Sequence, residues 1–504
     1  MKNTESARFW IFAVIICISD IYIYGQSETS YRAEAFASVA SGEHTPFWTV
    51  NQSWGITPLE ANNFYLRGGV FHEQKLSGNF SFDAGIDLVG GAKSFYGNVW
   101  IQQLYGRINW KIFRLDLGQR EDYTSFLNSR LSSGDFVESN NFRPIPGVKF
   151  SVPEFTLIPF TKGNLYFKGD FFVGKYLDDK WKENRAAPLN RQYATGILYH
   201  RKSVYFRFGN IETSNRMQFA FGMNHAAQWG GTLYSFSETE NRLVGRAQPQ
   251  DLDDFIRIFM AKEGSANSTA ADRVHVAGSQ WGAYTLKYDY RLENNSVLSI
   301  YTNHLFEDGS GMGFQNYMDG IFGIEYSARK PKAVSGVVFE YIYTKQQTGA
   351  VHFNHSMDDE HRDKLFKKGN GGDNYYNNVD YAEGPSYFGH TLGTPLFLSP
   401  MYNTDGSLNF KGTRIMALHM GLEGFAASTL QYRILLTAGK NYGTHFIPFS
   451  SVKKGIASQL ELKWSPKSLD NWDFTLSLAC DRGEFFGGDT AGAALSVVKR
   501  GIIR

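Results

Sequence analysis

The sequence predicts an all-β protein, a large antiparallel transmembrane β-barrel of roughly 16–20 strands with a few short α-helices as plug or periplasmic cap. Three observations lead to this prediction. Apolar and polar residues alternate along nearly the whole chain, the N-terminus looks like a secretion signal, and 16% of the residues are aromatic.

The alternation is clearest from Phe80 to Leu88, where apolar side chains occupy the even positions and small or polar ones the odd positions. Side chains of an extended strand point alternately to opposite faces, so this segment has one apolar and one polar face. The pattern returns at residues 203–208, 284–290, 460–464 and 473–481. Strands of about 10 residues, joined by short turns on one side and longer loops on the other, account for the predicted strand number.

The N-terminus predicts export. Lys2 and Arg8 come before the apolar run from Phe9 to Ile18, and Gly25 offers a small residue for cleavage. The run is too short for a transmembrane helix, which needs about 20 apolar residues. We therefore expect residues 1–25 to be a signal peptide and residues 26–504 to form a single outer-membrane β-barrel domain of a Gram-negative cell, with helical and loop insertions.

Composition narrows the class of protein. The 28 Tyr and 41 Phe suit the aromatic girdles of membrane barrels, although a large soluble all-β protein would also use aromatics in its core. A net charge of +2 provides no field that would attract nucleic acid. After cleavage Cys480 would be the one cysteine left, on the apolar face of its strand, so we expect no disulfide.

Three segments depart from the strand pattern. Residues Asp251 to Met260 have apolar side chains at helical spacing, with Asp251 as N-cap, and predict an amphipathic helix. Residues Asp122 to Leu131 are a second helix candidate. The proline-rich stretch from Phe142 to Pro159 predicts an extended connector, because proline lacks the donor that a central strand needs.

Catalytic signatures are absent from the sequence. We find no Gly-x-Ser-x-Gly elbow, no His-Glu-x-x-His helix and no phosphate-binding glycine loop, so we expect no enzyme and no cofactor. An outer-membrane hydrolase would need a nucleophile, a base and an orienting group in one site. The cluster from His352 to His361 could surround a divalent cation, but its spacing matches no defined site, and we interpret it as a solvated loop.

The stretch from Gly369 to Asn378 is rich in amides and tyrosines. Planar amides and carboxylates can hydrogen-bond sugar hydroxyls, and tyrosine rings offer flat apolar faces to a pyranose. The same composition also suits a glycine-rich loop whose Asn and Asp form turns and whose tyrosines pack on the barrel wall. The candidate carbohydrate-binding residues are Asp373, Asn374, Tyr375, Tyr376, Asn377 and Asn378, with Trp229 as a further stacking candidate.

Several longer sequence segments resemble the corresponding segments of the capsule assembly Wzi family of outer-membrane proteins, in the form found in Bacteroides-like bacteria. They extend through most of the chain and comprise residues 45–48, 62–67, 96–105, 131–135, 143–146, 161–163, 227–232, 304–312, 371–378 and 498–502. The chain departs from many outer-membrane barrels in ending on Ile502, Ile503 and Arg504 rather than on an aromatic residue.

The resemblance implies a monomeric, non-catalytic surface lectin that binds capsular polysaccharide and retains it on the cell. Its expected partners are that polysaccharide and outer-membrane lipid, with the capsule export machinery as a further candidate. The alternative function is a porin or sugar channel, because wide barrels conduct when their lumen is open.

Overall fold

A computed structural model describes residues 26–76, 78–91, 97–212, 215–274, 276–348 and 373–503. The predicted signal peptide and the cluster from His352 to His361 lie outside the described residues. Within the described ranges, no helix is long and apolar enough to cross a membrane.

The described chain forms twenty-three strands. The first twelve are β1 (Ser27–Ala40), β2 (Asn63–Lys75), β3 (Phe80–Gly91), β4 (Val99–Trp110), β5 (Phe113–Gln119), β6 (Gly147–Leu157), β7 (Leu165–Lys175), β8 (Tyr193–Thr195), β9 (Leu198–Phe208), β10 (Met217–Trp229), β11 (Thr232–Ser237) and β12 (Arg242–Ala247). The others are β13 (Ser279–Arg291), β14 (Val297–Phe306), β15 (Gly320–Ser327), β16 (Gly336–Tyr343), β17 (Ser386–Tyr387), β18 (His390–Thr391), β19 (Ile415–Ala427), β20 (Leu430–Gly443), β21 (Pro448–Trp464), β22 (Trp472–Arg482) and β23 (Thr490–Ile503).

Eighteen of these strands form one antiparallel sheet, from which β8, β11, β12, β17 and β18 are excluded. The sheet closes because β1 pairs with β2 on one side and with β23 on the other. Closure leaves no unpaired edge, which a sheet in lipid requires. The predicted large antiparallel barrel is confirmed, and its strand number falls within the predicted range.

The predicted alternation is also confirmed. On β3, Ile86 and Leu88 are exposed while Asp87 between them is fully buried. On β13, Leu286 and Tyr288 are exposed, and Thr285 is buried. The exposed apolar row is the outer, lipid-facing surface, and the polar row faces the lumen, as expected for an outer-membrane barrel.

The two ends of the barrel differ. Connections at one end are short, such as residues 111–112 and 428–429, whereas the other end carries residues 120–146, 230–278 and 344–414. Outer-membrane barrels place short turns in the periplasm and longer loops outside, so we call the long-connection end the outer end.

Outward aromatic side chains, among them Trp110, Phe208 and Trp464, form a girdle near the periplasmic end.

Five short α-helices lie in the long connections: α1 (Phe47–Val50), α2 (Asp179–Ala186), α3 (Leu252–Phe259), α4 (Ala270–Val274) and α5 (Gly309–Met312). All five lie at the outer end, so none of the described helices caps the periplasmic end. The helix predicted from Asp251 to Met260 is confirmed as α3. The side chain of Asp251 accepts from the backbone of Asp254 and that of Asp254 accepts from the backbone of Asp251, which completes a capping box.

Two sequence predictions are wrong. Residues 122–131 are irregular rather than helical, because the Asn128 side chain accepts from the backbone N–H of Arg130 and Leu131 and so competes with helical bonding. The proline-rich stretch contains β6, which pairs with β5 and β7. Pro153 lies where the register with β7 shifts, between Val152 and Thr156, and such a bulge tolerates a residue without an N–H.

Candidate functional site

Two chain segments fill the barrel. The first lumenal segment, residues 120–146, connects β5 to β6, and the second, residues 373–414, ends at β19. They contact each other directly, since Ser139 Oγ donates to Gly393 O at 2.8 Å and Thr394 Oγ1 donates to Ser133 O at 2.9 Å. Their apolar side chains, with inward residues of the wall, form one large buried cluster.

The first lumenal segment reaches the opposite wall near the periplasmic end. Arg130 donates to Glu423 at 2.8 Å, and Asn128 donates to Glu325 at 2.9 Å. Glu340, fully buried on β16, accepts from Ser132 Oγ at 2.6 Å and from the backbone N–H of Ser133 at 2.7 Å. Charged wall residues therefore fix this segment across the lumen.

One glycine permits the close approach of this segment to the wall. A Cβ at Gly421 on β19 would lie 2.3 Å from the carbonyl oxygen of Leu131. Any side chain larger than hydrogen would push the segment away from the strand. Nearby, the buried His419 ring bonds Leu131 O at 2.8 Å and Thr437 Oγ1 at 2.7 Å.

A cavity of about 790 Å³ opens above this filling, at the outer end. Its volume lies within the range of ligand sites in proteins, about 300–1,000 Å³. The lining comes from four separate connections and the adjoining ends of β20 and β21. Its polar and aromatic members are Glu43, His44, Glu60, Arg185, Tyr402, Asn403, Thr404, Lys411, Asn441, Phe449, Lys453, Glu484 and Phe485.

Aromatic and amide groups of this outer cavity are held in place by neighbours. The Tyr402 ring lies 5.5 Å from the His44 ring in an edge-to-face arrangement. The amide of Asn403 donates to the carbonyl oxygens of Ser407 and Asn409, both at 2.9 Å. Lys453 Nζ lies 4.6 Å above the Phe449 ring.

The charges in the outer cavity are largely compensated within the protein. Lys411 Nζ lies 2.9 Å from Asp405, and Lys453 Nζ lies 3.8 Å from Glu484. Arg185 donates to the carbonyl oxygen of Met401 at 3.1 Å. Flat aromatic faces beside amides and balanced charges suit a polyhydroxylated ligand better than a highly charged one.

The sequence-predicted sugar residues lie elsewhere. Tyr375 and Tyr376 are buried in the lumenal cluster, where Tyr375 donates to Asp319 at 2.9 Å and Tyr376 donates to Phe136 O. Asn377 and Asn378 are half-buried and bond local backbone, including Phe410 O at 3.0 Å and the N–H of Asp380 at 2.8 Å.

The other three predicted residues are split between two places. Asp373 and Asn374 are half-buried at the start of the second lumenal segment. Trp229 is buried on the outside of the wall, with its ring 5.5 Å from that of Phe255 in α3. The structure therefore does not bring Trp229 and the tyrosines to one surface, and a sugar-binding role for these seven residues stays a prediction.

No local sequence signal marks the outer cavity. Tyr402, Asn403, Lys411 and Phe449 stand in connections or at strand ends and share no motif with His44 or Glu484, to which only the fold brings them close. The described part of the chain holds no group of three His, Cys, Asp or Glu side chains placed to bind a metal ion.

Asp373 provides a pH-dependent feature of the outer end. Burial raises the pKa of its carboxyl to about 7, Asp308 and Asp319 add to this rise, and hydrogen bonds with Thr348 and Ser310 oppose it. An unfolded aspartate titrates near 3.9. Between these pH values the folded protein binds more protons than the unfolded chain, so stability falls as the pH rises.

We therefore expect the thermal unfolding midpoint of the wild-type protein to fall more steeply between about pH 4 and pH 7 than that of Asp373→Asn. Melting curves followed by circular dichroism would test this. Asp470→Asn, at an exposed aspartate in a periplasmic turn, is the matched control and should keep the wild-type slope. Identical slopes for the wild type and Asp373→Asn would contradict the prediction.

The comparisons with known proteins concern the fold. No protein-family model matches the chain, and no curated protein sequence matches it. Among solved structures, the chain is similar to Wzi of Escherichia coli, described as a carbohydrate-binding β-barrel involved in group 1 capsule assembly. That match has 14% identity and a TM-score of 0.55, and covers 93% of this chain and 83% of Wzi.

Two structures from Pseudomonas aeruginosa also match. OccK5 (OpdH) has 10% identity, a TM-score of 0.47 and coverage of 95% of this chain and 99% of its own. OprD has 10% identity, a TM-score of 0.46 and coverage of 96% and 100%. At such identities the likeness to Wzi shows the fold alone, which is that of an outer-membrane β-barrel.

Proposed function

We propose that this protein is a non-catalytic, lectin-like outer-membrane protein that binds capsular polysaccharide and retains it at the cell surface. The observation that carries the proposal is the outer cavity, which is open at the cell-surface end and lined by Tyr402, Phe449 and hydrogen-bonding side chains. It provides the stacking and hydroxyl-bonding groups that a sugar chain needs.

The filled lumen supports binding rather than transport. A porin or sugar channel needs a continuous aqueous path, whereas both lumenal segments here are bonded to the wall and to each other. The sequence segments that resemble the Wzi family also favour binding over transport. Several of them, including residues 131–135, 143–146 and 371–378, belong to or border the two lumenal segments.

The test is binding of a short oligosaccharide fragment of native capsule to the folded protein by isothermal titration calorimetry. A short fragment avoids the avidity of a polymer that meets many copies at once. We expect Tyr402→Ala to weaken the affinity about tenfold, because one aromatic contact contributes about 0.5–1.5 kcal/mol. Thr404→Trp, which adds bulk to an exposed cavity residue, should block binding without removing a native contact.

Two controls separate this effect from general damage. Phe446→Ala removes an exposed aromatic at the same end that does not line the cavity, and Thr239→Trp adds the same bulk at an exposed hairpin tip. Each should bind as the wild type does. If wild-type protein with a folded barrel binds no capsular fragment, the lectin function is wrong. Unchanged binding by both cavity variants would move the site away from the outer cavity.

A further inference from the structure

Helix α3 packs against the outside of the barrel wall, not against the lumenal filling. Ile258 is buried with Ala227 and Trp229 of β10, and Phe255 lies against the same patch. Alternation along β10 places Ala227 and Trp229 on the same face as the outward Phe219. The helix therefore lies on the membrane-facing side of the barrel, near its outer end.

The wall beneath α3 is unusually polar for a lipid-facing surface. Lys202 on β9 lies on the same outward face as Phe208, and it donates to Phe259 O and lies 4.1 Å from the Phe259 ring. Gln280 on β13 donates to Ile258 O at 3.4 Å. These two side chains satisfy carbonyls at the C-terminus of the helix, and the helix in turn covers a lysine that would cost about 2–4 kcal/mol against lipid at the bilayer midplane.

A second face of α3 is apolar but uncovered. Leu252, Ile256 and Met260 are 73%, 49% and 55% exposed. At about 100° per residue they form one stripe between the wall-facing side chains and the salt bridge of Asp253 with Arg257. The helix thus has a wall sector, an exposed apolar sector and a charged sector, which is the pattern of a helix at a membrane interface.

The connection between β14 and β15 repeats this arrangement beside the helix. Phe314 lies over the outer wall, 5.4 Å from the Tyr284 ring and 4.8 Å from the His304 ring. Its neighbours Tyr317 and Met318 are 72% and 58% exposed. We call α3 and residues 309–318 together the outer collar.

Both parts of the outer collar lie over neighbouring strands near the outer end of the wall. Lys202 pairs with His225, His225 with Gly282, and Gly282 with Phe306, so the collar covers one cross-strand row. Gly282 precedes Tyr290, near the periplasmic end of β13, by eight residues. At about 3.3 Å per residue and a tilt of about 40°, this is a rise of about 20 Å, which lies within the apolar band of about 25 Å.

We propose that the outer collar is a lipid-binding surface whose exposed apolar side chains lie among the acyl chains of the outer leaflet. We infer that lipid covers the collar because the collar adjoins the exposed apolar surface by which the barrel contacts lipid. Apolar residues this exposed on two independent segments over one cross-strand row form a patch that is unfavourable in water. The salt bridge between Asp253 and Arg257 lies on the side that would face the headgroups and water.

Site-directed spin labelling tests the proposal in phospholipid vesicles that contain the folded protein. In a background with Cys17→Ser and Cys480→Ala, nitroxides are attached at Ile256→Cys and Met318→Cys. Controls are Asp253→Cys on the charged sector of the same helix and Thr239→Cys on an exposed hairpin tip. We expect a several-fold higher ratio of oxygen to nickel-chelate collision rates at residues 256 and 318 than at 253 and 239.

Two results would overturn the proposal. If the labels at 256 and 318 are as accessible to the nickel chelate as the label at 239, the collar lies in water above the bilayer. If both labels are shielded from both reagents, a second protein copy or another protein covers the collar instead of lipid. Circular dichroism and heat-modifiable migration would confirm that each labelled barrel is folded.

Discussion

Replacing Lys182 by Met is expected to lower the free energy of unfolding by about 3 kcal/mol. Lys182 Nζ lies in the protein interior, 2.8 Å from Asp178 and 3.6 Å from Glu383, and all three side chains are almost completely buried. Removal of the cation leaves two carboxyl groups without their partner, and uncompensated buried charge is among the most costly defects in a protein.

The loss is expected at the lower end of the usual range because Glu383 can take up a proton. Burial raises the pKa of Glu383 to about 7, and Lys182 opposes this rise. Without Lys182, protonation of Glu383 becomes easier and relieves part of the cost. The buried triad of Asp178, Lys182 and Glu383 connects two parts of the molecule, because Asp178 precedes α2 and Glu383 belongs to the second lumenal segment.

Guanidinium unfolding of the detergent-folded protein would measure this effect. Lys180→Met, at an exposed lysine of the same helix, is the matched control and should stay within about 0.5 kcal/mol of the wild type. A triple variant with Lys182→Met, Asp178→Asn and Glu383→Gln should recover stability relative to the single variant, because no charge is then left unpaired. Equal stability of Lys182→Met and Lys180→Met would show that the buried triad contributes little.

The barrel could be predicted from the sequence because a lipid face and a lumen face impose a period of two on every strand. Phe80 to Leu88 shows this period without help from tertiary contacts, and so do the strands around Leu286 and Leu476. The helix α3 was also predictable, since its N-cap and apolar spacing are local signals. Its place on the outer wall was not, because the partners that fix it, Lys202 and Gln280, are distant in sequence.

The filling of the lumen could not be predicted for the same reason. Residues 122–131 have apolar residues at helical spacing, yet Asn128 and Arg130 bond groups on the far wall and the backbone follows those contacts. The tyrosines of the second lumenal segment look suited to sugar stacking, but Tyr376 packs between Phe397 and Phe410. A sequence does not tell an aromatic side chain that fills a barrel from one that faces a ligand.

The outer cavity was missed because its lining has no order along the chain. His44 and Tyr402 meet only after β1 and the segment before β19 have been brought to the same end of the barrel. The net charge of +2 describes the whole chain and does not locate the compensated charges found around the cavity.

Removal of both lumenal segments is expected to convert a closed barrel into a conducting one. In planar bilayers we expect no steady conductance from the wild-type protein, because the two segments bond the wall and each other across the lumen. Replacing residues 122–144 and 374–412 each by a flexible Gly-Ser linker leaves the eighteen-stranded wall in place and exposes Glu325, Glu340 and Glu423 to water. The variant should therefore show stable, ohmic single-channel currents, as wide barrels with an open lumen do.

The matched control replaces the exposed tip of the β11–β12 hairpin, residues 238–241, by two glycines and should stay closed. The experiment also separates the proposed lectin from the alternative porin or sugar channel. Steady currents through the wild-type protein would favour the channel, because the lumenal segments would then have to leave an aqueous path. A closed wild type beside an open variant would mean that the wall could conduct and that the filling prevents it, which favours the proposed lectin over a channel.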